Sequence, residues 1–281
     1  MIVMTGASGQ FGRLVAQALA ERVSPTQVRL GAREPGKITD LADKGFKTVA
    51  ADFDKPETLD AAFAGAKVVL IISGDAPSAH RIRQHRAAID AAKAAGVGRV
   101  AYTSFTNPTP RSLFPFAAIH ADSEAWLKAS GVAYTILRNN QYAENLTTAS
   151  AKATGMLELP GALGKVAHIT RADVAAATAG ALIQEGHAGK VYELTGPEAL
   201  NLIEVASILS DTWGKLVRAV DLDPAEFGRM LASRGLPPFA VEAIVGLRLA
   251  VGAGEYAAVC DDAARLAGRP MESLSDYLGR L

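Results

Sequence analysis

From residue 2 onward, short runs of β-branched and aliphatic residues alternate with longer segments whose apolar positions recur every three or four residues. Ile2–Thr5 reads as a first strand. Phe11, Leu14, Val15, Ala18 and Leu19 then fall on one face, which predicts a helix over Phe11–Glu21. Val28–Ala32 predicts a second strand, Ile38–Lys44 a helix closed by Gly45, and Thr48–Ala51 a third strand. Lys55–Phe63 predicts a helix with Pro56 in its first turn. Val68–Ile72 is continuously apolar, as a parallel strand covered on both faces should be. His80–Ala95 predicts a helix stopped at Gly96, Arg99–Ser104 a strand, Ala117–Ala129 a helix stopped at Gly131, and Ala133–Arg138 a sixth strand. Such alternation implies an α/β fold with one parallel sheet and right-handed crossovers.

After Asn139 the pattern loosens. Gln141–Ala153 predicts a helix, and Leu157–Ala167, with Pro160, Gly161 and Gly164, a loop with a short strand. Arg171–Glu185 predicts an Ala-rich helix and Val191–Leu194 a strand ended by Gly196-Pro197. Helices follow at Leu202–Trp213, Pro224–Arg234, Phe239–Leu249, Asp261–Leu266 and Ser273–Leu281, with a strand at Leu216–Asp221 and a glycine-rich loop at Val251–Glu255. The expected architecture is a Rossmann-type doubly wound sheet with a smaller α/β C-terminal cap forming the substrate cleft. Residues 1–138, with about 166–196, would form the dinucleotide domain. Residues 139–165 and 197–281 would form the cap, which has no linker long enough to make it an independent module.

Composition narrows the partners. Lys plus Arg equals Asp plus Glu at 29 each, so no net field draws nucleic acid or an anionic membrane. No apolar run approaches the roughly 18 residues of a spanning helix. Cys260 is the only cysteine, which rules out an internal disulfide and is compatible with a reducing cytoplasm. Met1 leads directly into a strand, so no signal peptide is expected. A cytoplasmic protein is the expectation, with a homodimer as the default assembly.

The chemistry starts at Thr5–Gly12. Gly6, Gly9 and Gly12 lie between a strand and a helix, with Ala7, Ser8, Gln10 and Phe11 among them. Such a turn brings bare backbone up to a pyrophosphate at a helix N-terminus. The spacing is one residue longer in its first gap than the usual dinucleotide fingerprint, but its place between a strand and a helix at the start of a βαβ series favours a cofactor over the alternative, a tight turn with no ligand. At the end of strand two, an acidic residue would bind the ribose of NAD. Here Arg33 stands instead, and a guanidinium can pair with a 2′-phosphate, so NADPH is expected. Lys37 can assist and Glu34 can oppose; a merely solvated Arg33 is the alternative. Asp52 and Phe53 follow strand three and border the adenine, or else the stretch supplies only a helix cap at Asp54 and a core Phe53. Ser73 and Gly74 leave room for a ribose at the end of strand four. Ser104 and Phe105 close strand five, beside the expected nicotinamide, and can border the substrate, which makes Phe105 a substrate candidate. Phe114-Pro115-Phe116 reads as a substrate lid or a packed loop, and Phe116 is thereby a substrate candidate.

Further stretches carry a resemblance: GAREPGK at 31–37, ADFDKPETL at 51–59, the run 84–104, TILRNNQYAEN at 135–145 and YELTG at 192–196. With the glycine turn, they make the chain similar to the NmrA-like, atypical short-chain dehydrogenase/reductase family, and within it to quinone oxidoreductases and triphenylmethane reductases. The resemblance implies NADPH at Gly6–Gly12 and Arg33, with Asn139, Asn140, Tyr142 and Asn145 near nicotinamide and substrate. Ordinary short-chain dehydrogenases protonate a carbonyl oxygen with a Tyr-x-x-x-Lys pair. No such spacing occurs in this chain, and the helix after strand five carries His120 instead.

The expected activity is therefore hydride transfer from NADPH to a small-molecule acceptor that needs no strong acid, such as a quinone or a triarylmethyl cation. A ketone or imine reductase using His120 or Tyr142 as acid is one alternative. A dinucleotide-sensing regulator without turnover is another. Asn140 joins His120 and Tyr142 as a catalytic candidate. His80 and His85, five apart, face different ways, and His168 and His187 are isolated. All four read as surface or satisfied core histidines, so no metal site is expected. No G-x-S-x-G elbow supports a nucleophilic serine.

Overall fold

The structure, a computed structural model, describes residues 1–146 and 148–281. Its strands are β1 (Ile2–Met4), β2 (Val28–Ala32), β3 (Lys47–Ala50), β4 (Val68–Ile71), β5 (Arg99–Phe105), β6 (Tyr134–Asn139), β7 (Met156–Leu159), β8 (Lys190–Leu194) and β9 (Arg218–Asp221). The helices are α1 (Gln10–Ala20), α2 (Thr39–Ala42), α3 (Pro56–Phe63), α4 (Ser78–Ala94), α5 (Ala117–Ala129), α6 (Thr148–Thr154), α7 (Arg171–Ile183), α8 (Leu202–Trp213), α9 (Pro224–Ser233), α10 (Pro238–Gly252), α11 (Asp262–Ala267) and α12 (Leu274–Leu278).

Seven strands form one parallel sheet in the order β3-β2-β1-β4-β5-β6-β8. All four residues of β4 are buried, because helices cover both faces. One face packs Leu59, Phe63, Ile89 and Leu127 of α3, α4 and α5 against Val69, Ile71, Val100 and Tyr102. The other packs Val15 and Leu19 of α1 and Ala175, Ala179 and Leu182 of α7 against Met4, Leu30 and Leu70. Each large apolar side chain among these contributes roughly 1.5–3 kcal/mol on burial. The strand order reverses between β1 and β4, which opens a crevice at their carboxyl ends.

The remaining elements form a smaller layer. β7 and β9 pair in parallel, and α8, α9 and α12 pack on them through Val205, Leu209, Phe227, Leu231 and Leu278. Local chemistry sets several of these helices. Asn201 and Glu204 form a reciprocal capping box on α8, and Asp223 caps α9.

Two sequence expectations are corrected here. The helix expected over Gln141–Ala153 is divided: Tyr142 bridges to Ile169, Ala143–Asn145 is a single 3₁₀ turn, and only Thr148–Thr154 is α-helical. Thr147, within that expectation, lies outside the described residues. Pairing of Tyr142 and of the Gln141 carbonyl with the Ile169 backbone outweighs local helix propensity. The glycine-rich loop expected at Val251–Glu255 starts late, because α10 runs on to Gly252.

Candidate active site

The glycine turn lies at the topological switch point. Gly6 adopts φ +68°, a left-handed conformation that favours glycine. Gly12 is required by contact: a Cβ there would lie 2.2 Å from the Gly6 carbonyl oxygen. Its absence lets α1 start directly against the loop. No side chain caps α1, so its first amides point into the crevice without a protein partner.

A cavity of about 390 Å³ opens there. It is lined by Gly6, Ser8, Gly9, Gln10, Phe11 and Gly12 of the turn, and by Arg33, Asp52, Phe53 and Ser73 of the following strand ends. Ten of the thirteen residues expected at a cofactor thus converge from four strand ends. Arg33 makes no ion pair among the described residues, whereas Lys37 is drawn away to Glu34 at 2.7 Å and does not line the cavity. Glu34 is thereby neutralised, and the repulsion expected from it is weakened. Asp52 accepts from the Asp54 amide, and Phe53 packs one side on the core. The buried Ser73 Oγ has no protein partner. An uncapped helix start, a bare glycine cradle, an unpaired guanidinium and an orphaned hydroxyl fit a dinucleotide phosphate.

Three expected cofactor residues stand elsewhere. Ala7 is buried beneath the turn, its amide donating to the Gly31 carbonyl. Ser104 donates to the buried Glu124 at 2.8 Å, in a group that also holds the half-buried Arg138 and Glu193. Burial pushes the Glu124 carboxyl up, but Arg138 and Ser104 prevail and hold it below its ordinary value. Asn139 is buried, does not line this cavity and donates to the Tyr142 phenol at 3.0 Å; its own Oδ1 is unpartnered. Gly74, expected to leave room for a ribose, lines the cavity with Ile72 before it, and Gln84, Asp75, Ala76 and Ala51 line it without having been singled out. Gln84 reaches it from α4 while donating to Asp54, a contact that no local motif signals.

Tyr142 leads to a second space. Its ring stacks on Phe11 at 6.2 Å, and Arg171 lies over it at 4.8 Å. Burial raises its pKa to about 12, against the opposing effects of Asn139 and Arg171, so the phenol keeps its proton. Tyr142 and Asn145 also line a cavity of about 380 Å³ whose other walls come chiefly from β7, α9 and α10 of the cap. Leu146, Leu159, Phe227, Leu231, Ile244 and Leu247 make most of its wall apolar.

The other candidates are not in either cavity. His120 is buried, accepts or donates at 2.9 Å to the Tyr102 hydroxyl, and stacks on Phe105. Burial, aided by Arg81 and His85, holds its pKa well below the ordinary value, so it is neutral. Phe105 and Phe116 belong to an aromatic cluster with Phe114 and Tyr256. The lid reading of Phe114-Pro115-Phe116 is corrected accordingly: the stretch packs against α10, where Pro115 lies over Gly246. Asn140 is fully buried, donating to the Tyr256 carbonyl and accepting from the Gln141 amide, which makes it a structural pin. His168, read as a surface or satisfied core histidine, is in the core but not satisfied: it is buried, lines the cap cavity and has an unpartnered Nδ1.

A doubly wound sheet with a glycine cradle at its switch point and a small α/β cap beside it defines a dinucleotide-binding protein of the Rossmann type. The chain belongs to the NAD(P)H-binding family, whose model matches residues 6–185. It is 36% identical over 283 residues to quinone oxidoreductase 2 of Escherichia coli strain K12, covering 100% of this chain and 98% of that protein. Among solved structures, the NADPH complex of an NADPH-dependent quinone oxidoreductase from Escherichia coli superposes with a TM-score of 0.94 at 36% identity, covering 100% of this chain and 99% of that one. Citrobacter sp. triphenylmethane reductase complexed with NADP(H) superposes with a TM-score of 0.94 at 32% identity, over the same shares. Among the described residues, no helix is long and apolar enough to cross a membrane.

Proposed function

We propose that this protein is an NADPH-dependent oxidoreductase that passes hydride to a quinone or a similarly conjugated acceptor held in the cap cavity. The observation that carries the reading is the Phe11–Tyr142 stack, where a ring lining the phosphate-cradle cavity meets a ring lining the apolar one. NADPH, when bound, supplies the hydride. The chain's own residues bind and orient. The open amides of α1 hold the pyrophosphate, and Arg33 reads the 2′-phosphate. Asn139 positions the Tyr142 phenol, whose hydrogen is left free to bond an acceptor oxygen. The apolar wall keeps water out.

The missing Tyr-x-x-x-Lys pair supports a conjugated acceptor. Reduction of a simple ketone makes a basic alkoxide that needs a proton at once. Reduction of a quinone makes a delocalised phenolate, for which orientation suffices. The similar proteins named for quinone and triphenylmethane reduction support the same class. In this reading residues 1–138 with about 166–196 form the cofactor domain, and 139–165 with 197–281 the substrate cap. We place the protein in the cytoplasm, with a homodimer as the default assembly.

The test is NADPH oxidation, followed by absorbance beside NADH, across quinones, azo compounds, triarylmethyl cations and ketones. Turnover with quinones is expected, and no acceptor-dependent turnover across the panel would sink the proposal. Alcohol formed from ketones, and lost in Tyr142→Phe, would move it to the ketone reductase. Tight NADP(H) binding with no hydride transfer, together with a captured protein partner, would move it to the regulator.

A further inference from the structure

The cap cavity has a polar floor that an acceptor of plain hydrocarbon rings leaves unused. Arg248 of α10 is 7% exposed. Its Nε donates to the Pro160 carbonyl at 2.9 Å, and its Nη groups have no protein partner among the described residues. No carboxylate lies within ion-pair distance of it there. Asp221 acts on it only from beyond ion-pair distance, and its Oδ1 accepts from the amides of Gly161 and Ala162. Burial accordingly lowers the Arg248 pKa to about 10, which leaves the guanidinium charged at neutral pH. Two further polar side chains line the same cavity with unpaired atoms: Gln141, 7% exposed, through Nε2, and His168, 6% exposed, through Nδ1. His168 is held neutral, its pKa lowered to about 3 by burial and then by the Arg248 charge. The remaining charged residues of the lining are the half-buried Glu158 and the exposed Arg234.

A buried cation without a counter-ion is costly unless something completes it. An orphaned amide donor in the lining of the same cavity demands the same kind of partner. We infer that the cap cavity selects acceptors carrying an anionic substituent, a carboxylate, sulfonate or ionised hydroxyl, which Arg248 and Gln141 bind while the ring system lies on Phe227, Leu231 and Leu247 toward Tyr142. This rests on the reading of the cap cavity as the acceptor site and narrows its substrate class. Cationic triarylmethyl acceptors would leave Arg248 uncompensated and are disfavoured.

Calorimetry on the NADP⁺-loaded protein tests this with 1,4-naphthoquinone and its 2-sulfonate. Binding is the primary readout, because a sulfonate also makes the ring a better hydride acceptor. The sulfonate is expected to bind roughly tenfold tighter or more, the usual worth of a charge-assisted bond. Arg248→Met should bring the two affinities together, and Arg248→Lys should keep part of the preference. Equal affinities in the unaltered protein, or a preference that survives Arg248→Met, would overturn the inference. If Arg248→Met does not fold, the comparison of the two ligands on the unaltered protein still decides. Sulfonate binding without turnover of either quinone would refute the reductase reading while upholding the anion site.

Discussion

Gly9 and Gly12 stand three residues apart in one turn, yet the structure gives them opposite consequences on substitution by alanine. At Gly12 the added Cβ would sit 2.2 Å from the Gly6 carbonyl oxygen and 3.0 Å from the Ala7 Cα, both backbone atoms that no rotamer change can move. Relief to ordinary contact requires α1 and the turn to separate by about 1 Å, and overpacking of that kind costs about 1–3 kcal/mol. In a chain of this size that lowers Tm by roughly 2–5 °C. At Gly9 the Cβ meets only the Gly6 oxygen, at 3.5 Å, and φ −77°, ψ 162° suits any residue. Gly9→Ala should therefore leave stability unchanged or raise it by up to about 1 kcal/mol through the unfolded chain. Its methyl group would instead project toward the cavity that Gly9 lines and obstruct the pyrophosphate. Thermal unfolding without cofactor, paired with NADPH titration, separates the two effects. Gly12→Ala should lose stability and binding together, Gly9→Ala binding alone. A neutral Gly12→Ala, or a Gly9→Ala that binds NADPH normally, would refute the geometry argued for this turn.

Arg33→Ala should weaken NADPH about 10- to 100-fold and NADH little, as measured by Michaelis constants for both; equal losses would remove Arg33 from the 2′-phosphate. Tyr142→Phe should reduce quinone turnover by less than about tenfold, because no general acid is required, whereas a loss of about 10²-fold or more would identify the phenol as the proton donor. Stability should fall on acidification from about pH 7.5 to 5.5. His85 and His168 are held near pKa 3 in the fold by burial, so the unfolded chain, with histidines near 6.5, binds the extra protons across that window. Denaturant midpoints that stay flat over that range would show that these histidines titrate normally in the folded protein.

Much of the sheet and the cofactor turn was legible along the chain, and the reasons are local. Continuous apolar runs, helical spacing and glycine stops are set by neighbours within one element, so β4, α5 and α8 appear where the pattern puts them. The turn at Gly6–Gly12 and the basic residue at Arg33 carry their chemistry within a few positions of a strand end. Ser104 shows the limit: its place at the end of β5 suggested the cofactor, but strand alternation turns its hydroxyl to Glu124 on the α5 side.

What tertiary structure alone decided is the second cavity and the state of its groups. Gln141, His168, Phe227 and Arg248 come from four distant stretches of the chain, and no periodicity links them. Sequence by itself determined the parallel sheet, the phosphate turn and the missing acid pair, since each is a short-range pattern. Burial, pairing and exposure of a side chain depend on what folds back over it. That is why an isolated histidine and an ordinary helical arginine became visible as an unpaired polar floor only once the cap was packed.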